Sequence, residues 1–305
     1  MFAAPPEMPL RVLHEIPAAH RAAGRASDWF FGKDDPRAHS FLEGPAIDRQ
    51  GHLWVTDIPF GRLFRIAPEG DWALALEYDG EPNGLAIHAD GRVFIADHRR
   101  GLLVFDPRSG RLDAALPRLR REGFRGLNDL TFAANGDLYF TDQGQSGLQD
   151  PSGRLYRMRA ATGQVDCVLD GIPSPNGLCL TPDGRHLLLA VTRANQVWRL
   201  PLHPDGSTSK VAAFLQLSGG LAGPDGLAMD AAGNLAVAHC GLGCVWVFSR
   251  LGEPIWRLRA PEGLSTTNLC YRGHTLLVTE SDTGRVLAAE MPVPGLPLYS
   301  HAAGA

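Results

Sequence analysis

The chain has 305 residues, of which 44 % are hydrophobic and 20 % charged, and its formal net charge is −4. That composition supplies ample material for a core and excludes a charged tail or a basic arm; the one basic run, Arg118 to Arg121, reads as a solvated loop. No stretch approaches the roughly 18 apolar residues of a membrane-spanning helix, and the opening MFAAPPEMPLRVL has neither a basic n-region nor a long apolar run. The expectation is a cytoplasmic protein with no nucleic-acid or membrane partner.

Taken in chain order, the first strand-like segment is RVLHEI, from Arg11 to Ile16. Residues 17–40 follow, with the aromatic cluster Trp29-Phe30-Phe31, and read either as a lid over one mouth of the fold or as a loop packed on its side. A unit then recurs six times: a polar residue, a small residue, an apolar triplet, a tight turn, an alternating apolar strand and a third strand. The copies begin at EGPAIDRQGHLWVTDI from Glu43, PNGLAIHADGRVFIAD from Pro82, LNDLTFAANGDLYFTD from Leu127, PNGLCLTPDGRHLLLAV from Pro175, PDGLAMDAAGNLAVAHC from Pro224 and TTNLCYRGHTLLVTE from Thr266. The equivalent polar position is Glu43, Asn83, Asn128, Asn176, Asp225 and Thr267, at intervals of 40, 45, 48, 49 and 42 residues.

A period of this length built from hairpin-linked strands is that of a propeller blade. The turns Asp90-Gly91, Asn135-Gly136 and Asp183-Gly184 supply the residues that tolerate positive φ in a tight hairpin. A fourth, outer strand follows most copies: ALALEY from Ala73, QVDCVLD from Gln164, KVAAFLQL from Lys210 and IWRLRAP from Ile255, with only a weak candidate near Leu112 in the second. The sixth copy lacks such a strand before the Pro- and Gly-rich tail 292–305, and the spare strand at Arg11 supplies it. The prediction is an all-β, single-domain chain of 305 residues: a six-bladed β-propeller of four-stranded antiparallel blades within about 10–291, closed by the N-terminal strand. Closure removes the unpaired edges of an open sheet.

In a propeller the first strand of each blade lines the central channel, so the six polar residues form a ring at one mouth. Asn and Asp are common at turns and strand entries, but Glu43 is a poor turn former. The residue after the ring position is mostly Gly, which lets backbones approach closely. Carboxylates and amide oxygens together suit a hard divalent cation. Glu43 and Asp225 bring two charges to balance it, and without a cation two converging carboxylates would force one to protonate. The five cysteines have no framework spacing, and Cys240 and Cys244, in an apolar stretch, read as buried free thiols. His98, His239 and His274 read as hydrogen-bonded core or surface residues. No H-E-x-x-H or G-x-S-x-G segment occurs, so Ser-His-Asp hydrolysis has no support.

Four motifs carry a resemblance: Leu42-Glu43-Gly44-Pro45; Asn128-Asp129 followed by Tyr139-Phe140-Thr141-Asp142; Pro175-Asn176-Gly177-Leu178; and Pro224-Asp225-Gly226-Leu227. With them, residues 10–291 resemble the regucalcin (senescence marker protein), gluconolactonase and calcium-dependent lactonase family, related to diisopropylfluorophosphatase. The resemblance implies one divalent cation, Ca²⁺ first, with Zn²⁺, Mn²⁺, Mg²⁺ or Fe as further candidates. It implies Glu43, Asn176 and Asp225 as ligands, with Asn128 as a fourth ligand or a substrate contact. It also implies a small lactone as substrate, opened to the hydroxy acid, with Asp225 in the catalytic role, as general base toward water or as nucleophile; Asn128, Asn83 and Arg125 are read beside it as orienting substrate oxygens. In sugar-lactone members an Arg two residues before the blade-three Asn binds substrate; here Arg125 lies three before Asn128. Two rivals stand beside this reading: a metal-dependent phosphotriesterase-like hydrolase at the same cation, and a non-enzymatic binding propeller, which has no use for Glu43.

Overall fold

The computed structural model describes residues 3–30 and 38–302; Phe31 of the aromatic cluster, the rest of 31–37 and the last three residues of the tail lie outside the described residues. Six antiparallel sheets follow one another along the chain, each starting at an inner strand. Blade one comprises Leu42–Ile47, Leu53–Asp57, Arg62–Ile66 and Trp72–Glu77, and blade two Pro82–Ile87, Val93–Asp97, Gly101–Asp106 and Arg111–Leu116. Blade three comprises Leu127–Phe132, Leu138–Asp142, Gly153–Met158 and Val165–Ile172, and blade four Pro175–Leu180, His186–Val191, Gln196–Pro201 and Ala212–Gln216. Blade five holds Gly223–Met229, Leu235–Cys240, Cys244–Phe248 and Pro254–Arg259; blade six holds Thr266–Arg272, Thr275–Glu280 and Arg285–Glu290. The predicted six-bladed all-β propeller is the observed fold. The outer strand that was weak in blade two is present, with a register shift between Ala114 and Leu116.

The hairpin turns form as their residues demand: Gly91, Gly136 and Gly184 have φ of +90°, +85° and +65°. The core lies between blades. Trp54 and Leu63 of blade one pack with Leu85, Ile87, Val93, Ile95, Leu103 and Phe105 of blade two, the Trp54 and Phe105 rings meeting edge-on at 6.4 Å. Equivalent clusters fill the other seams, each fully buried Leu or Ile contributing roughly 1.5–3 kcal/mol. The second strand of each blade is buried on both faces, which is why LWVTD and HLLLAV read as near-continuous apolar runs. Among the described residues no helix is long and apolar enough to cross a membrane.

The ring closes at its N-terminal strand. Arg11–Glu15 pairs antiparallel with Arg285–Glu290, from Arg11 opposite Ala288 to Glu15 opposite Arg285, and completes blade six. A second pairing was not expected from the sequence: Glu7–Pro9 runs parallel to Pro254–Arg259 and adds a fifth strand to blade five. Leu10, between the two, is buried among residues of blades five and six, and Ile16 enters the cluster between blades six and one. Nine residues therefore staple two blades. Deleting residues 1–16 should lower unfolding stability by several kcal/mol, since it opens two sheet edges and exposes apolar surface at roughly 25 cal/mol per Å². Deleting only residues 1–5 should change little. Urea unfolding measures both, and equal stability of the two truncations would show that the staple does not close the ring.

The segments outside the blades cover opposite faces. On the face where the inner strands begin, Trp29 packs edge-on to Phe41 at 6.0 Å and to His98 at 5.8 Å, and Phe30 lies 6.1 Å from Phe60. The basic run of residues 118–121 forms a small hairpin in which Arg118–Leu119 pairs with Glu122–Gly123. On the other face the tail crosses the channel. Ser300 Oγ donates to the Ile47 carbonyl at 3.1 Å, Arg49 Nε donates to the Ser300 carbonyl at 2.7 Å, and the Leu296 amide donates to the Met229 carbonyl at 2.9 Å. Tyr299 stacks on Phe132 at 5.1 Å. The tail thus plugs the lower end of the channel, above which lies a cavity of about 170 Å³ roofed by Asp129 and Asn268.

Candidate active site and cation centre

Each inner strand breaks register at its ring residue: between Glu43 and Ala46, Pro82 and Leu85, Leu127 and Leu130, Pro175 and Leu178, Pro224 and Leu227, and Thr266 and Leu269. Six equivalent bulges re-aim six equivalent side chains, the use to which bulges are put beside functional sites. Glu43, Asn83, Asn128, Asn176 and Thr267 are buried, whereas Asp225 is partly accessible. Hydroxyls on or just beyond the second strands tie the ring from blade to blade. Thr56 Oγ1 donates to the Asn83 carbonyl at 2.6 Å, Thr141 Oγ1 to the Asn176 carbonyl at 3.0 Å, and Thr192 Oγ1 to the Pro224 carbonyl at 2.8 Å. Ser281 Oγ ties blade six to blade one, donating to the Leu42 carbonyl at 2.6 Å.

The small residues after the ring positions explain a second layer. A Cβ at Gly44 would lie 2.6 Å from the Asn83 carbonyl oxygen, and a Cβ at Gly177 would overlap the Asp225 carbonyl. A Cβ at Gly84 would overlap the Asp129 carboxylate, and one at Gly226 the Asn268 amide. The two blades without this glycine, three and six, therefore place Asp129 and Asn268 in the room their neighbours leave. Asn268 Nδ2 donates to Glu43 Oε2 at 2.9 Å and to Asp129 Oδ2 at 3.2 Å, linking first, third and sixth blades across the channel. Sequence reasoning counted two carboxylates here, Glu43 and Asp225. The structure brings a third, Asp129, into their field. Its signal was the exception itself: in a repeat that keeps Gly after the ring residue, Asp129 and Asn268 depart from it.

Three carboxylates in one field, two of them buried, resist ionisation. Burial, and then the neighbouring Asp129, push Glu43 up to about 7. Burial pushes Asp129 up to about 6, against hydrogen bonds from the Leu130 amide and Asn268. Asp225 is raised well above the ordinary carboxylate range by burial and by the charges of Glu43 and Asp129, with Asn176 and Cys240 opposing the rise by hydrogen-bonding its carboxyl. Cys240 is held as a thiol by burial and by Asp225; it is one of five free cysteines and is half-buried, where the sequence suggested full burial, while Cys244 is buried as expected.

Two amides are oriented from outside the ring. Gln143 Oε1 accepts from Asn128 Nδ2 at 3.0 Å, and Gln143 Nε2 donates to Ser174 Oγ at 3.0 Å. Asn176 Nδ2 donates to Thr192 Oγ1 at 3.2 Å, and its Oδ1 is buried with no hydrogen-bond partner. An orphaned amide oxygen beside carboxylates that resist charge is what a cation would satisfy. Among the described residues no three His, Cys, Asp or Glu side chains converge closely enough to hold a metal by themselves, so the amide oxygens are integral to any such site. Arg125 is exposed and donates to Ser152 Oγ at 3.1 Å. His239 is fully buried beneath Gly220 and accepts at Nδ1 from Trp246 Nε1 at 3.2 Å, while the His274 ring meets the Met291 carbonyl at 3.0 Å. Both fit the structural reading.

Residues 41–282 match the model of the SMP-30/gluconolactonase/LRE-like region. Lactonase drp35 of Staphylococcus aureus (strain MRSA252) is 31% identical over 230 residues, covering 72% of this chain and 70% of the relative. Among solved structures, a regucalcin from Agrobacterium tumefaciens described as a calcium-binding protein superposes with a TM-score of 0.75 at 23% identity, covering 97% of this chain and 99% of that one. A gluconolactonase from Xanthomonas campestris superposes at 0.74 and 21% identity, covering 95% of each. The structural likenesses speak to the propeller, and the family match over residues 41–282 with the 31% identical relative speaks to kinship: the chain belongs to the SMP-30/gluconolactonase/LRE-like family.

Proposed function

We propose that this protein is a divalent-cation-dependent lactonase that opens a small lactone, of the sugar or a related class, to its hydroxy acid. Glu43, Asn176 and Asp225 would hold the cation, with Asn128 as a fourth ligand or a contact to substrate. The observation that carries the reading is the unpartnered Asn176 Oδ1 beside Asp225, a carboxylate whose charge Glu43 and Asp129 oppose. Relatives that bear the name lactonase support the substrate class. Ca²⁺ is the first candidate, with Zn²⁺, Mn²⁺, Mg²⁺ and Fe as further arms of the test.

A divalent cation, when bound, supplies a Lewis acid that polarises an ester carbonyl and acidifies water. The chain's residues do the rest. Asp225, the partly accessible carboxylate, takes a proton as the water oxygen adds to the lactone carbonyl carbon. The ring C–O bond then breaks, the ring oxygen takes a proton, and the product is a hydroxy acid. Glu43, held by the Gly44 amide at 2.6 Å and by Asn268 at 2.9 Å, is the fixed anchor. Asn83 and Arg125 would orient substrate oxygens from the wall and the rim.

Acid release from aldono- and aliphatic lactones, followed at constant pH with each metal added in turn, tests the activity. No turnover of any lactone with any of these metals would overturn it. Glu43→Gln should weaken Ca²⁺ binding by about tenfold or more, since it removes a charged ligand held by a fixed hydrogen-bond shell. Calorimetric titration reads this, and undiminished affinity would place the cation elsewhere.

A further inference from the structure

We propose that Thr192 is a positioning residue that fixes the Asn176 amide with its carbonyl oxygen toward the cation centre, one case of a position that the repeat sets beside the ring. The inference rests on the cation reading above and deepens it. The register opposes Leu127 to Asp142, Pro175 to Val191 and Thr266 to Glu280, so Gln143, Thr192 and Ser281 are the next residue in three equivalent strands. Each meets the ring residue of its own blade. Gln143 Oε1 accepts from Asn128 Nδ2 at 3.0 Å, Thr192 Oγ1 accepts from Asn176 Nδ2 at 3.2 Å, and Ser281 Oγ lies 3.1 Å from Thr267 Oγ1. The spacing that sets the ring thus also sets an arc of polar side chains outside it. In blade one the same position is Ile58, and Glu43 takes its hydrogen bonds from the Gly44 amide and Asn268 instead.

At Thr192 the sense of the hydrogen bond is decided. A hydroxyl carries one proton, and Thr192 donates it to the Pro224 carbonyl at 2.8 Å, a group that can only accept. The hydroxyl oxygen is then left to accept from Asn176, so the amide turns its NH2 toward Thr192. Its other end, Oδ1, is the buried oxygen without a partner. Thr192 is itself buried and held by its backbone: its amide donates to the Ser174 carbonyl at 3.0 Å, and its carbonyl accepts from the Asn195 amide at 3.0 Å. The opposite sense is on view at Asn268, whose NH2 donates to Glu43 at 2.9 Å and to Asp129 at 3.2 Å. An amide free to turn beside these carboxylates would do likewise, capping them with an NH2 and turning its oxygen away from a cation. Partners that orient ligands from outside are worth about ten- to a hundredfold in metal affinity.

Calorimetric titration of the full chain with Ca²⁺ tests this. Thr192→Val keeps the shape and removes the hydroxyl, and should weaken Ca²⁺ by about tenfold or more, while Thr192→Ser, which keeps the hydroxyl, should bind within about threefold of the wild type. With Asn176→Asp in place both ends of that side chain are oxygens, so adding Thr192→Val should then cost no affinity. An equal loss in both backgrounds, or undiminished affinity in Thr192→Val alone, would overturn the role of Thr192 and leave the cation reading standing. A second measurement needs no change at Thr192 and covers a Thr192→Val chain that does not fold. In chelator, the Asn176 side-chain NH2 signal, identified by its disappearance in Asn176→Asp, should show nuclear Overhauser contacts to the Thr192 side chain; their absence would overturn the inference. A wild-type chain that binds no Ca²⁺ would overturn both this role and the Ca²⁺ reading on which it rests.

Discussion

With cation saturating, Asp225→Asn should lower kcat on the best lactone by at least about a hundredfold, the lower end of the usual loss of a general base. In the sequence this role was what the resemblance implied, with Asp225 and Glu43 as the two carboxylates of the ring. The structure replaces that argument with a better one. There are three carboxylates, and Glu43 and Asp129 are buried, joined to each other through Asn268. Asp225 is the partly accessible one. It is also raised well above the ordinary carboxylate range, by burial and then by the charges of Glu43 and Asp129, and a carboxylate that prefers a proton is a stronger base when it lacks one. The Asn side chain keeps an oxygen and nearly the same shape, so the variant separates proton transfer from ligation. Asn83→Ala, a ring change that removes no carboxylate, should cost much less. Near-wild-type turnover by cation-saturated Asp225→Asn would reduce Asp225 to a ligand and pass the proton transfer to another residue.

The second large effect is on stability without a cation. Glu43 and Asp129 have folded pKa values raised to about 7 and about 6, above the roughly 4.3 and 3.9 of an unfolded chain. A raised folded value means that the folded state binds the proton more tightly. The stabilisation is complete below the unfolded pKa and is lost as pH rises through the folded one. In chelator, therefore, the unfolding free energy should fall between about pH 5 and pH 8, by about 1.4 kcal/mol per pH unit for each proton held only by the folded state. Ca²⁺ should raise the melting temperature more at pH 8 than at pH 5, because only ionised carboxylates attract it. Asp57, Asp142 and Glu280 are also raised by burial, so the slope alone does not isolate the channel. Asp129→Asn does: in chelator it should flatten the slope and stabilise the protein at pH 8. An unaltered slope in that variant, measured by thermal unfolding across the range, would remove Asp129 from the coupled group.

The propeller was legible because its signal is a sum. One blade's pattern is weak, but six copies at near-constant spacing leave little alternative, and the missing outer strand of the last copy pointed to Arg11–Glu15. The parallel strand Glu7–Pro9 was not legible. EMP is too short to show a period, and its pairing depends on where Leu10 is buried rather than on any pattern of its own. In the site, the ring positions could be read because they repeat. Asp129 and Asn268 were missed because they follow ring residues and alternation would turn them away from the axis; the bulges cancel that alternation. Cys240 was read as a core thiol from an apolar run, and only the register with Gly223 places it beside Asp225. Gln143, which orients Asn128, lies in a loop whose sequence carries no period.

The layer formed by Glu43, Asp129 and Asn268, and beneath it the tail from Pro292 to Ala302, turn a tunnel into a pit. Substrate and product then share one doorway, and a second lactone cannot enter until the first has left as its acid. Opening the ring makes the molecule longer, more flexible and anionic. It does so beside Glu43, Asp129 and Asp225, so whichever of these carboxylates the cation leaves unbalanced repels the product that has just formed.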